Sequence, residues 1–156
     1  RYGGTVKAAA AHRADVLPLA EIPFSAIEAS DAMVFPAPRR AFLHAWISAP
    51  GHVGRALMHG DTLVAWGVIR PCRKGYKIGP LVADDRAGAE AVLSALLTEI
   101  GEAEVFLDVP GINREAVGLA EGLGLVPVFE TARMYTGMIP QLGLQRVFGV
   151  TSFELG

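Results

Sequence analysis

Two carboxylates stand in stretches whose other residues read as buried strand: Asp108 in Val105–Val109 and Glu130 in Val126–Tyr135. Burial disfavours a charged carboxyl and raises its pKa, so both are candidate general bases, the alternative being acids that face outward. A second kind of chemistry is suggested by the stretch from Tyr76 to Thr98. Ile78, Leu81 and Val82 form a short apolar run around Gly79-Pro80, which suits a strand. From Ala89 the period changes, and Ala89, Val92, Leu93, Leu96, Leu97 and Ile100 make one stripe of an α-helix that Gly101 ends. A strand that passes through a glycine-bearing turn into a helix aims backbone N–H groups and the positive end of the helix dipole at the turn, where a phosphate can sit. Asp84 and Asp85 place two negative charges beside that cradle, which would repel a phosphate, so an ordinary strand-to-helix connection stands as an equal alternative.

The elements that must position these groups follow from the rest of the pattern. Asp15 is an N-cap for a helix over Val16–Ile22 that Pro23 ends, and Ser25 to Glu28 has capping-box spacing for a second short helix or turn. Phe42, Leu43, Trp46 and Ile47 make another helical stripe, closed by Pro50-Gly51. Val53–Met58 and Leu63–Ile69 flank the turn His59-Gly60-Asp61-Thr62, and the turn at Pro71–Gly75 leads into Lys77–Val82, an antiparallel meander of three strands. Asn113 caps a helix whose Ala116, Leu119, Ala120 and Leu123 share a face, with Gly124 just past its end. Val126–Tyr135 and Gln145–Phe153 are expected as the last two strands. A strand–helix–strand step from Lys77 to Val109 requires a parallel pair among the hairpins, so the fold class is α/β (α+β) with a mixed, mostly antiparallel sheet flanked by helices.

Arg86-x-x-Ala89-x-Ala91 resembles the Arg-x-x-Gly-x-Gly/Ala pyrophosphate loop of the GNAT superfamily of N-acetyltransferases. Asn113-x-x-Ala116-x-x-Leu119-Ala120-x-x-x-Gly124-Leu125 is similar to that family's Asn-x-x-Ala-x-x-Leu-Tyr-x-x-x-Gly-Phe helix. The lead-in Asp31–Phe35 with Arg39, and the ending Phe129–Gly137, resemble the second half of tandem GNAT proteins. The resemblance divides the chain into residues 1–13, a linker or strand from a preceding segment, and 14–156, a GNAT-like acetyltransferase domain. It implies a splayed parallel strand pair whose gap takes the pantetheine arm of acetyl-CoA, with backbone groups of Leu81 and Ala83 pairing to the cofactor's amides. Leu81, Val82, Ala83, Arg86, Ala87, Gly88, Ala89, Ala91 and Asn113 are then the cofactor-binding residues, Asn113 being otherwise a plain helix cap. The family's reaction is direct transfer: a base takes a proton from a small amine, the amine attacks the thioester and a donor protonates the thiolate. The family's usual donor, the Tyr of the Leu-Tyr pair, is Ala120 here, which leaves Tyr135 as the replacement phenol and Glu130 and Asp108 as bases. Two functions stay open: an acetyl-CoA-dependent N-acetyltransferase acting on a small amine, or a non-catalytic GNAT-like half that binds substrate or a catalytic partner, with a preceding GNAT domain as that partner.

Bulk properties narrow the partners. The 156 residues suit one domain, 51% of them are hydrophobic, and the net charge of −2 favours neither disorder nor polyanion binding, so nucleic acid is not expected. Cys72 is the one cysteine, which excludes an internal disulfide and fits a cytoplasmic location. Apolar runs fall well short of the roughly 20 residues a spanning helix needs, so no membrane association is expected. His12, His44, His52 and His59 lack metal-ligand spacing. Arg39, Arg70 and Arg133 lie beside apolar segments, and pairing with Asp31, Glu130 or Glu154 is favoured over contact with an acidic ligand. The first residue is Arg1 and not Met, which fits a fragment or a processed form.

Overall fold

The structure is a computed structural model that describes residues 1–7 and 15–153. Its strands are β1 (Tyr2–Lys7), β2 (Val16–Pro18), β3 (Val53–His59), β4 (Thr62–Pro71), β5 (Tyr76–Ala83), β6 (Glu102–Leu107), β7 (Val126–Pro127) and β8 (Val147–Gly149). The α-helices are α1 (Phe24–Ala32), α2 (Arg40–Ile47), α3 (Arg86–Thr98) and α4 (Arg114–Gly122). Among the described residues the sheet runs β2-β3-β4-β5-β6-β1-β7, with β8 paired to β5. β5 and β6 are parallel and every other pair is antiparallel, the mixed sheet that the strand–helix–strand step demands.

The stripe of α3 covers one face of this sheet. Ala89, Val92, Leu93, Leu96 and Leu97 are buried against Ala65, Ile69, Ile78 and Leu81 of β4 and β5, together with Ala116, Leu119 and Ala120 of α4. The opposite face carries α1 and α2, where Ile27 and Leu43 pack with Ala56, Trp66, Val68 and Val82. Trp66 is fully buried and donates its indole N–H to Ser30 Oγ at 3.0 Å, which joins α1 to the centre of β4. Each fully buried side chain of this kind contributes about 1.5–3 kcal/mol. Successive β-strand residues feed opposite layers, so the strands must be apolar on both faces, as β4 and β5 are.

The structure revises several of these expectations. Residues 16–22 are a short edge strand followed by a 3₁₀ turn at Leu19–Glu21, not a helix; the Pro18 ring disfavours the α region for Leu17 before it, and Val16, Leu17 and Pro18 pair with β3 instead. Of the two readings of the first segment, linker or strand, Tyr2–Lys7 is a strand: all six residues pair with β6, from Tyr2↔Leu107 to Lys7↔Glu102, and Val6 is buried. The rest of the expected 1–13 segment, with His12, lies outside the described residues. Val126–Tyr135 forms only two residues of strand, Val126 and Pro127, which pair with Gly3 and Tyr2 of β1, and Val128 and Phe129 add bonds to Arg1. Likewise, of Gln145–Phe153 only Val147–Gly149 is strand, and Glu154 lies outside the described residues.

Candidate functional site

β5 and β6 run side by side only as far as Ile78↔Leu107 and then part. This fork is the gap expected to admit a cofactor arm, but the chain's own β8 fills it. Leu81 pairs with Gly149 and Val82 with Val147, so β8 engages Leu81, one of the two residues expected to offer backbone groups, while Ala83 lies past this pairing and meets Ala65 of β4. Gly149 makes the fit: a Cβ there would lie 2.7 Å from Leu107 Cδ1 and 3.3 Å from Leu81 Cβ. Asn113 fastens the wedge from the other side. Its Oδ1 accepts the Ala116 N–H at 3.1 Å as the N-cap of α4, while Nδ2 donates to the carbonyls of Gln145 at 2.9 Å and Val147 at 3.0 Å. The plain-cap reading and the ligand-contact reading of Asn113 are thus both incomplete, since the residue caps and also holds β8.

The phosphate cradle is also engaged. Asp85 is the N-cap of α3 and its Oδ1 accepts the Gly88 N–H at 2.8 Å, placing a carboxylate where an anion would otherwise use that donor. Arg86 turns away to Glu90 at 2.7 Å, Asp84 pairs with Arg146 beside β8, and Ala89 is buried.

The structure separates the three expected catalytic groups. Asp108 is fully buried just beyond the fork; it accepts from Arg1 Nε at 2.7 Å, from Arg1 Nη2 at 3.1 Å and from Lys77 Nζ. Burial alone pushes its pKa up, but these hydrogen bonds and the two positive charges outweigh it and hold the carboxyl below its usual value. The expected raised-pKa base is therefore a stably ionised acid held by two cations. Phe153 covers the cluster, with Arg1 and Lys77 at 4.7 and 5.4 Å from its ring. Glu130 and Tyr135 lie on the exposed segment 128–139 outside the sheet, and the Tyr135 hydroxyl is 3.5 Å from Arg133 Nη1. Ala120 is fully buried core. Lys77 is the residue that sequence reasoning missed; a lone lysine in an apolar strand was the available sign that a carboxylate faces it from the neighbouring strand.

On the α1–α2 side, the preference for structural arginine pairing holds at Arg39. Its Nε and Nη2 meet Asp31 at 2.8 and 2.7 Å, and Nη2 also reaches Thr151 Oγ1 at 3.2 Å. Arg70 instead lies 5.1 Å over the Trp46 ring, and that indole donates to the Gly79 carbonyl at 3.1 Å. A small cleft beside the fork is lined by Phe35, Arg39, Pro80, Val82, Arg133 and Thr151 among others. Cys72 accompanies a turn, its thiol donating to the Lys74 carbonyl at 3.1 Å. No described helix is long and apolar enough to cross a membrane.

Residues 27–149 match the family described as the Acetyltransferase (GNAT) domain. The chain belongs to this family. It is 29% identical over 120 residues to holothin acyltransferase of Pseudoalteromonas sp. (strain SANK 73390), a match that covers 76% of this chain and 41% of that protein. Among solved structures it is similar to a proposed acetyltransferase from Pyrococcus horikoshii, with a TM-score of 0.75, 24% identity, and coverage of 100% of this chain and 52% of that one. It is also similar to the aminoglycoside acetyltransferase meta-AAC0020 from an uncultured soil metagenomic sample, solved with sisomicin, with a TM-score of 0.54, 14% identity and coverage of 80% and 95%. The two structures establish the GNAT fold. The chain thus spans about half the length, or less, of holothin acyltransferase and of the Pyrococcus protein.

GNAT proteins generally use acyl-CoA, and the residues present here do not fit that group in this arrangement. The β5 edge at Leu81 and Val82, the Asn113 amide and the Gly88 N–H, which the resemblance assigns to cofactor, are bonded to β8 and to Asp85.

Proposed function

We propose that this GNAT domain is the acceptor-holding, non-catalytic half of an acyltransferase, and that a companion GNAT domain holds the acyl-CoA and carries out transfer to a small amine. The observation that carries this reading is β8 in the fork, paired to Leu81 and Val82 and bridged by Asn113. The dispersal of Asp108, Glu130 and Tyr135 supports it, as does core alanine at position 120. A companion is supported by the greater length of the relatives and by the segment 126–139, where Val126, Val128, Phe129, Met134, Met138 and Ile139 are all exposed large apolar residues.

A second reading is favoured by the family match, which runs through both the α3 loop and the Asn113 helix. In that reading the chain itself is an acetyl-CoA-dependent N-acetyltransferase of the cytoplasm, and β8 must leave the fork before the cofactor enters. Calorimetry of the chain with acetyl-CoA and with CoA separates the two. The first reading expects no saturable heat at millimolar ligand and no turnover with a panel of small amines. Saturable binding accompanied by turnover would replace it with the second.

A further inference from the structure

β1 occupies a seat that chain order would give to another strand. It lies between β6 and β7 and is antiparallel to both, so β6 and β7 run parallel to each other. A segment that left β7 and turned straight back beside it on that side would run in the direction of β1 and take the same seat. The segment that does leave β7 stays outside the sheet. Residues 130–141 neither give nor accept a backbone–backbone hydrogen bond among the described residues, and Met134 and Met138 are 86% and 97% exposed.

This outlying segment carries the pattern of the strand that fills the seat. Tyr2-x-Gly4-x-Val6 of β1 is matched by Tyr135-x-Gly137-x-Ile139, an aromatic, a glycine and a β-branched aliphatic at the same spacing of two. In β1 these positions share one face: Tyr2 and Val6 pack on the core, and Gly4 meets Leu125, whose Cδ2 would lie 3.3 Å from a Cβ there. Met134 and Met138 alternate with Tyr135 and Ile139, so residues 133–139 drawn out as a strand are apolar on both faces. That is the character of a strand inside a sheet covered by helices on both sides, whereas docking on a flat surface would need one apolar face alone.

Both sides of the chain reach the root of this segment. The Arg1 backbone nitrogen donates to the Phe129 carbonyl at 2.5 Å, and the Phe153 ring lies 5.8 Å from that of Phe129. A companion domain joined by a short linker next to either Arg1 or Phe153 is held beside residues 133–139 at an effective concentration on the order of millimolar.

We propose that residues 133–139 form a strand that enters the sheet of the companion GNAT domain, taking there the seat that β1 takes here. The proposal rests on the companion reading and names the contact that joins the two halves. Its test is amide exchange, followed by mass spectrometry, on this chain alone and on the polypeptide that joins it to its companion. Residues 133–139 are expected to exchange fast in the chain alone and at least about a hundredfold more slowly in the joined protein. Thr136→Pro removes a strand N–H; it should leave the Tm of this chain unchanged, since the segment is unpaired here, and abolish the protection in the joined protein. Equal exchange in the two proteins, or protection that survives Thr136→Pro, would overturn the proposal. So would sedimentation of this chain alone as a dimer with residues 133–139 protected, which would make a second copy the occupant. Protection together with acetyl-CoA turnover by this chain alone would uphold the strand while refuting the non-catalytic reading, and equal exchange in a joined protein whose companion binds acetyl-CoA would refute the strand alone.

Discussion

Replacing Asn113 by aspartate and by alanine separates its two jobs. Aspartate keeps an oxygen for the Ala116 N–H and is as good an N-cap as asparagine, so a residue that only caps α4 would tolerate N113D within about 0.5 kcal/mol, while N113A would cost about 1 kcal/mol. The structure gives the reverse order. Nδ2 of Asn113, a buried residue, donates to the Gln145 and Val147 carbonyls, and N113D replaces both donors by an oxygen facing two oxygens. Two lost hydrogen bonds at about 0.5–1.5 kcal/mol each, plus the cost of carbonyls left unmet beside a negative charge, come to about 2–4 kcal/mol. For a domain of this size that lowers Tm by roughly 4–16 °C. Urea titrations and thermal melts at pH 7–8 measure the loss, and amide exchange at Phe148 and Gly149 locates it in β8. The deficit should deepen between pH 5 and 8 as the new carboxyl ionises. If N113D were as stable as wild type and N113A the worse of the two, Asn113 would be a cap alone and the account of β8 as a bonded wedge would be refuted.

Two other outcomes follow from the same region. The Asp108 pKa is depressed in the folded chain, so the stability it contributes is fully present above the ordinary carboxyl pKa and is lost as pH falls through the lower folded value; Asp108→Asn should flatten the acid limb of stability below about pH 4 and cost about 3–5 kcal/mol at pH 7 by leaving Lys77 without its partner, and an unchanged acid limb would contradict it. Gly149→Val places a branched side chain between Leu81 and Leu107 and should destabilise the chain by about 1–3 kcal/mol with faster amide exchange confined to β8; a neutral effect would mean that the strand does not sit in the fork.

Local pattern carried most of the layers. The α3 stripe, the α4 cap at Asn113 with Gly124 at positive φ just past its end, and the β3–β4 hairpin stand where periodicity and turn residues place them. What local pattern misled on were pairings across the whole chain. Val126–Tyr135 has strand-like composition, yet its sheet partner is β1, more than a hundred residues earlier and itself seated on β6, and only Val126 and Pro127 pair with it. Asp108 shows the same limit in electrostatics: burial was legible from its apolar neighbours, but the direction of its pKa depends on Lys77 and Arg1, which arrive from distant parts of the chain. A strand within Gln145–Phe153 was legible, but its shortness and its place beside β5 in the fork were not, and Asn113's second role only appears once that strand is in place.

The seat of β1 between β6 and β7 sets the order in which the sheet can close during synthesis. Tyr2 meets Leu107 and Pro127, so β1 leaves the ribosome long before either neighbour exists. At about 5–20 residues per second the wait is roughly 5–20 s, far longer than a strand pair needs to form, and in that time both its backbone edges are open to wrong partners. The sequence Tyr-Gly-Gly-Thr-Val-Lys suits such a wait: two adjacent glycines and a terminal lysine make it a poor template for another chain, and Val6 is the one aliphatic side chain it must eventually bury. The nascent β1 therefore waits unpaired at little risk of aggregation, and its later-made neighbours, β6 and β7, determine when it is seated.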